Sequence, residues 1–114
     1  MKTKPNVLVV CGRNKRRSKT AEAIFRKDER FNIQSAGLSP RSPSQISDRK
    51  IDLSDVILVM EDGHKSRILD QFRHLDLPDI HVLQIEDVYE YMDAELVAML
   101  ESSVPETIAY LLEE

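Results

Sequence analysis

The sequence predicts an α/β fold: a three-layer sandwich with a four-stranded parallel sheet, strand order 2-1-3-4, and helices on both faces. Three observations predict it. Two continuous apolar runs, Val7-Leu8-Val9-Val10 and Val56-Ile57-Leu58-Val59-Met60, carry the signature of strands buried on both sides. Each is followed by a stretch with apolar residues at helical spacing. Strand and helix signals then alternate along all 114 residues, and such alternation closes into a parallel sheet through right-handed crossovers. A chain of this length is expected to make one domain, 1–114.

The elements follow in order. Residues 6–10 form the first strand. Residues 18–30 read as a helix in which Ala21, Ile24 and Phe25 share a face. Residues 31–35 make a short second strand, ended by Ala36-Gly37. Residues 38–50 carry two prolines and many serines, so they are expected to be loop with one helical turn near 44–49. The third strand is 56–60, followed by a helix over 63–75 on Ile68, Leu69, Phe72 and Leu75. The fourth strand, 80–85, follows Pro78. Asp93 is a candidate N-cap for a helix with Leu96, Val97 and Leu100 inside. Ser103-Val104-Pro105-Glu106 reads as a capping box with an early proline, predicting a kink or a separate last helix on Ile108, Leu111 and Leu112.

Composition narrows the function classes. At 41% hydrophobic and 32% charged residues the chain reads as a water-soluble globular domain. Its single cysteine rules out an intramolecular disulfide framework and fits a reducing, cytoplasmic location. The N-terminal apolar run is too short for a signal-peptide core, and no run approaches a membrane span, so no membrane partner is expected. Net charge is −4, but unevenly spread: residues 1–30 balance to +7 and residues 31–114 to −11. The acidic remainder, with no aromatic platform beside the basic run, argues against a nucleic-acid partner. His64, His74 and His81 lack ligand spacing and are read as surface or capping residues, so no metal is expected. With only Gly12, Gly37 and Gly63, neither a Walker phosphate loop nor a dinucleotide fingerprint occurs, and no cofactor is expected.

The basic excess surrounds the thiol. Residues 11–18 read Cys-Gly-Arg-Asn-Lys-Arg-Arg-Ser, between the first strand and the first helix. A helix N-terminus offers free N–H groups and partial positive charge to an anion. In such surroundings a thiol pKa falls from about 8.5 to roughly 3.5–7.5, which makes a thiolate nucleophile at neutral pH. In the 2-1-3-4 order the switch point lies between strands 1 and 3, and Cys11 falls in the crevice there. Arg17 can clamp two phosphate oxygens, and N–H groups of residues 12–17 can form a nest around the third. Asn14 tolerates the left-handed backbone of a tight cradle. Ser18 can cap the helix or donate to the thiolate.

With Val7–Val10, Cys11, Asn14, Arg17, Ser18, Ala21-Glu22-Ala23, then Ser35-Ala36-Gly37 and Asp87-Val88-Tyr89, the chain resembles the low-molecular-weight protein tyrosine phosphatases. The resemblance covers nearly the whole chain in order and implies a cofactor-independent phosphomonoesterase acting on phosphotyrosine in a protein or on a small aryl phosphate. It implies that Cys11 attacks phosphorus, Arg17 holds the equatorial oxygens, and Asp87 acts as general acid and then base. Gly12, Arg13, Asn14, Lys15, Arg16 and Ser18 would form the phosphate cradle, and Tyr89 a wall beside an aromatic substrate. Two departures stand out: Arg13 replaces a common glycine, and Arg16 replaces the second loop cysteine of many members. The region 38–53 is also short. Alternatives are a phosphate- or phosphoprotein-binding module without turnover, and an arsenate reductase of the same fold using an external thiol.

Overall fold

In the computed structural model, which describes residues 4–112, four parallel strands form one sheet. They are β1 (Asn6–Cys11), β2 (Asn32–Gly37), β3 (Val56–Val59) and β4 (Asp79–Val82), ordered β2-β1-β3-β4. Five helices accompany them: α1 (Arg17–Phe25), α2 (Asp48–Asp52), α3 (Asp62–Gln71), α4 (Ala94–Thr107) and α5 (Ala109–Leu112). The order and direction of the strands are those the sequence predicts.

The two-residue period of a strand divides the core. Val7, Val9 and Cys11 of β1 pack with Ala21 and Phe25 of α1 and with Leu96, Leu100 and Val104 of α4. Leu8 and Val10 face the other way, onto Ile51 of α2 and Ile68 of α3. The sheet is therefore covered on both faces, and its central strands contain no exposed position between Val7 and Cys11 or between Val56 and Val59.

Each motif residue of β2 has a packing reason. Ser35 donates to Glu22 Oε1 at 2.7 Å, tying β2 to α1. Ala36 is fully buried. Gly37 pairs with Cys11 in register, and a Cβ there would sit 2.0 Å from Ser42 Oγ and 2.9 Å from the Arg13 carbonyl carbon. Only glycine lets the 38–46 loop and the end of β1 approach so closely. Beyond it, Leu38 and Ser39 N–H groups donate to the carbonyls of Cys11 and Gly12 at 3.0 and 2.8 Å.

Several boundaries differ from expectation. α1 begins at Arg17 and stops at Phe25 instead of running over 18–30. Asp28 accepts from the Arg30 backbone N–H and from its guanidinium, a local capture that competes with helix continuation. Phe31 then folds back onto Phe25, with ring centroids 5.4 Å apart. β2 consequently starts at Asn32 and runs on to Gly37. The short helix after the loop is α2, capped by Ser47, which accepts from the Lys50 N–H at 3.3 Å. α3 ends at Gln71, yet Phe72 and Leu75 still pack on its core face. β4 stops at Val82 because Gln84 adopts φ 58, though the Leu83 and Ile85 N–H groups still donate to Val59 and Met60 carbonyls.

The expected break at Ser103–Glu106 does not occur. α4 runs through Pro105 to Thr107, and Ser103 Oγ is buried without a hydrogen-bond partner rather than capping. Leu96, Leu100, Val104 and Ile108 recur every four residues and are all fully buried. Burying each such side chain is worth about 1.5–3 kcal/mol, so the row together outweighs the roughly 3 kcal/mol cost of an interior proline. The helix yields only at Ile108, and the separate last helix the sequence offered is α5, which begins at Ala109.

Candidate active site

The cysteine loop lies beyond the carboxyl end of β1, at the switch point between β1 and β3. A cavity of about 410 Å³ opens there, lined by Cys11, Gly12, Arg13, Lys15, Arg16, Arg17 and Asp87. Seven of the ten expected site residues thus share one hollow. Asn14 and Ser18 lie behind it, fully buried. Tyr89 does not line it: its half-buried ring packs against the core beneath α1 and α4, where an aromatic body finds apolar contact.

The loop is shaped by its buried polar residues. Asn14 holds the left-handed conformation at φ 55, the turn that brings the chain back over Cys11. Its Oδ1 accepts from Ser18 Oγ at 2.7 Å, and Ser18 Oγ lies 2.9 Å from Cys11 Sγ. Ser18 is therefore not the helix cap; Arg16 holds that position without a side-chain cap bond. A hydroxyl has one proton, so with Ser18 donating to Asn14 the thiol donates to Ser18. The N–H groups of α1 ahead of Thr20, whose own donates to the Arg16 carbonyl at 2.8 Å, have no intrahelical partner.

Arg17 is buried and held from two directions. Its Nη1 donates to Glu61 Oε2 at 2.5 Å and to the Ile85 carbonyl at 2.8 Å. Its Nε lies 3.7 Å from Asp87 Oδ1. A guanidinium has five N–H donors; both on Nη1 are used, leaving Nε and the Nη2 pair free for a ligand. The Arg17 hydrogen bond and charge hold the Glu61 carboxyl below the usual glutamate range. Asp87 itself is mostly solvent-exposed. Its loop is anchored at Ile85 in the core and by the Met92 N–H, which donates to Thr20 Oγ1 at 3.0 Å.

Two residues near the site carry no local motif signal. Glu61 is the first polar residue after β3, and the crevice rule that locates Cys11 also places it, since β3 ends beside β1. His64 is not a surface residue: it is 8% exposed, its Nδ1 has no hydrogen-bond partner, and its Nε2 approaches Gly12. Burial, helped by Arg17 and Arg67 and opposed by Glu61 and Asp87, pushes the His64 pKa down. The unfolded chain then binds a proton near pH 6.5 that the folded chain resists, so stability is complete above that pH and falls below it. Urea unfolding between pH 7.5 and 5 should show this loss in the natural chain and a flatter profile in His64→Gln. Parallel profiles would exclude His64 as the source.

Solved structures share this architecture end to end. SP-PTP, a low molecular weight protein tyrosine phosphatase from Streptococcus pyogenes, superposes with a TM-score of 0.79 at 15% identity, covering 96% of this chain and 95% of its own. The fold is that of a low-molecular-weight protein tyrosine phosphatase. The tyrosine phosphatase Wzb from Escherichia coli K30, in complex with phosphate, gives 0.71 at 19% identity over 96% and 99% of the two chains. The YwlE arginine phosphatase from Geobacillus stearothermophilus gives 0.70 at 20% identity over 96% and 97%. No family model matches the chain, and no curated protein does. Among the described residues no helix of this fold is long and apolar enough to cross a membrane.

Proposed function

We propose that this chain is a cofactor-independent phosphomonoester hydrolase acting on protein phosphotyrosine. One observation carries the reading: a nucleophile, an anion clamp and a carboxylic acid, from β1, α1 and the loop after β4, border the same cavity. Phosphatases of the same fold, one of them a phosphate complex, support it.

Cys11 as thiolate attacks phosphorus; the P–S bond forms as the P–O bond to the leaving group breaks. Arg17 meets two equatorial oxygens through Nε and Nη2, and loop N–H groups meet the third. Asp87 gives its proton to the departing oxygen. It then takes one from water, which attacks the cysteinyl phosphate; the P–S bond breaks, and phosphate and thiolate result. In the thiolate state the Ser18 proton turns to sulfur. Rotation of the Asn14 amide lets its Nδ2, unpartnered in the thiol state, donate to Ser18 Oγ instead. A cytoplasmic site of action fits a thiol that must stay reduced.

The test is turnover of an aryl phosphate by the purified protein, and its dependence on Arg17. Arg17→Lys keeps the charge but loses the planar fork, so a fall in kcat of about 10²–10³ is expected. Glu61→Gln should cost less, because the Ile85 carbonyl still holds Nη1. If Arg16→Ala cost as much as Arg17→Lys, the clamp would be misassigned.

A further inference from the structure

The two sides of the cavity rim differ in charge, and that difference bears on what flanks the phosphate. Of the three rim cations, Arg16 faces Glu90, with Nε 4.0 Å from Oε1. Arg13 and Lys15 are exposed and form no ion pair among the described residues. The Arg13 backbone packs against Gly37, where the 38–46 loop begins. No aromatic side chain lines the cavity to stack on a substrate ring. On the other side lies Asp87, whose loop also carries Glu86 and Glu90 and exposes the large side chains Val88 and Tyr91. Affinity beyond the phosphate must therefore come from charge on one side and apolar contact on the other.

We infer that Arg13 and Lys15 select phosphopeptides with an acidic residue flanking the phosphorylated one. This rests on the reading of Cys11–Ser18 as a phosphomonoester site. The phosphate itself satisfies Arg17 and the loop N–H groups, so the two free rim cations are available to a second anion. Exposed Val88 and Tyr91 favour a peptide over a small bisphosphate, because a peptide brings apolar side chains to that rim. Each exposed charge pair contributes little, so the expected selection is modest and screened by salt.

The experiment measures binding of phosphotyrosine peptides to Cys11→Ala, which keeps the loop but cannot react. One peptide has glutamate on both sides of the phosphotyrosine and the other glutamine; unphosphorylated forms serve as controls. The glutamate peptide should bind about three- to tenfold more tightly at low salt. That ratio should shrink towards one as the Debye length falls from about 30 Å at 0.01 M to about 8 Å at 0.15 M. Adding Arg13→Gln and Lys15→Gln should abolish it, whereas Arg16→Gln should leave most of it. A ratio of one at low salt, or one unchanged by the Arg13 and Lys15 variants, overturns the inference. If phosphorylation adds nothing to the binding of either peptide, the phosphate-site reading fails first and the inference falls with it. Each ratio is taken within one variant, and its salt dependence needs no rim variant at all.

Discussion

Cys11→Ser is expected to reduce hydrolysis of both aryl phosphates and phosphotyrosine to background while leaving inorganic phosphate or vanadate bound. The substitution changes one atom and keeps Arg17, the Asn14 turn and the first-turn N–H groups in place. A serine hydroxyl has a far higher pKa than a thiol, so it is not appreciably ionised in the same surroundings. The Ser18 hydroxyl, 2.9 Å from Sγ, can donate to a thiolate but cannot itself remove a proton from serine at neutral pH. Binding and turnover should therefore separate: anion affinity retained, product formation lost. Substantial hydrolysis by the serine variant would exclude attack by sulfur. Loss of anion binding together with turnover would mean that the substitution had damaged the cradle.

The sheet was legible because its signal is local. Two apolar runs identify β1 and β3 as strands covered on both faces, and parallel topology then leaves few orders for the remaining two. The helices were legible as existing but not in extent, since their ends depend on contacts distant in sequence. α1 stops where Phe31 returns to Phe25, and α4 runs through Pro105 because Val104 and Ile108 continue a buried row. Neither Phe31 nor that row can be weighed against a local capping signal until the partner surface is known.

The site divides the same way. Residues 11–18 are contiguous, and their spacing around a strand-to-helix turn displays the cradle directly. Asp87 lies far along the chain and could be matched only through the resemblance. Glu61 gave no local signal, because a glutamate after a strand is ordinary until β3 is known to end beside the arginine. His64 misled for the opposite reason: three histidines without ligand spacing suggest surface positions, and only the packing of α3 against the loop buries one of them. Motif position puts Tyr89 at a wall, whereas its half-buried ring packs against the core and the cavity lining is left mostly to charged side chains.

Asp87→Asn is expected to slow hydrolysis of phosphotyrosine by about 10²–10⁴-fold and of an activated aryl phosphate much less. A general acid matters in proportion to the basicity of the leaving oxygen. An ordinary phenolate must be protonated as it departs, whereas a strongly acidic phenol leaves as a stable anion. The asparagine is nearly isosteric and keeps a polar group 3.7 Å from Arg17 Nε, so the clamp should remain. Equal losses on both substrates would instead assign Asp87 to the positioning of Arg17. No loss on either would move the acid to Glu86 or Glu90, its neighbours on the same loop. The leaving-group comparison decides among these because Glu61 and Ile85 hold Arg17 independently of Asp87. A selective effect on the poor leaving group can then be ascribed to proton transfer rather than to a displaced clamp.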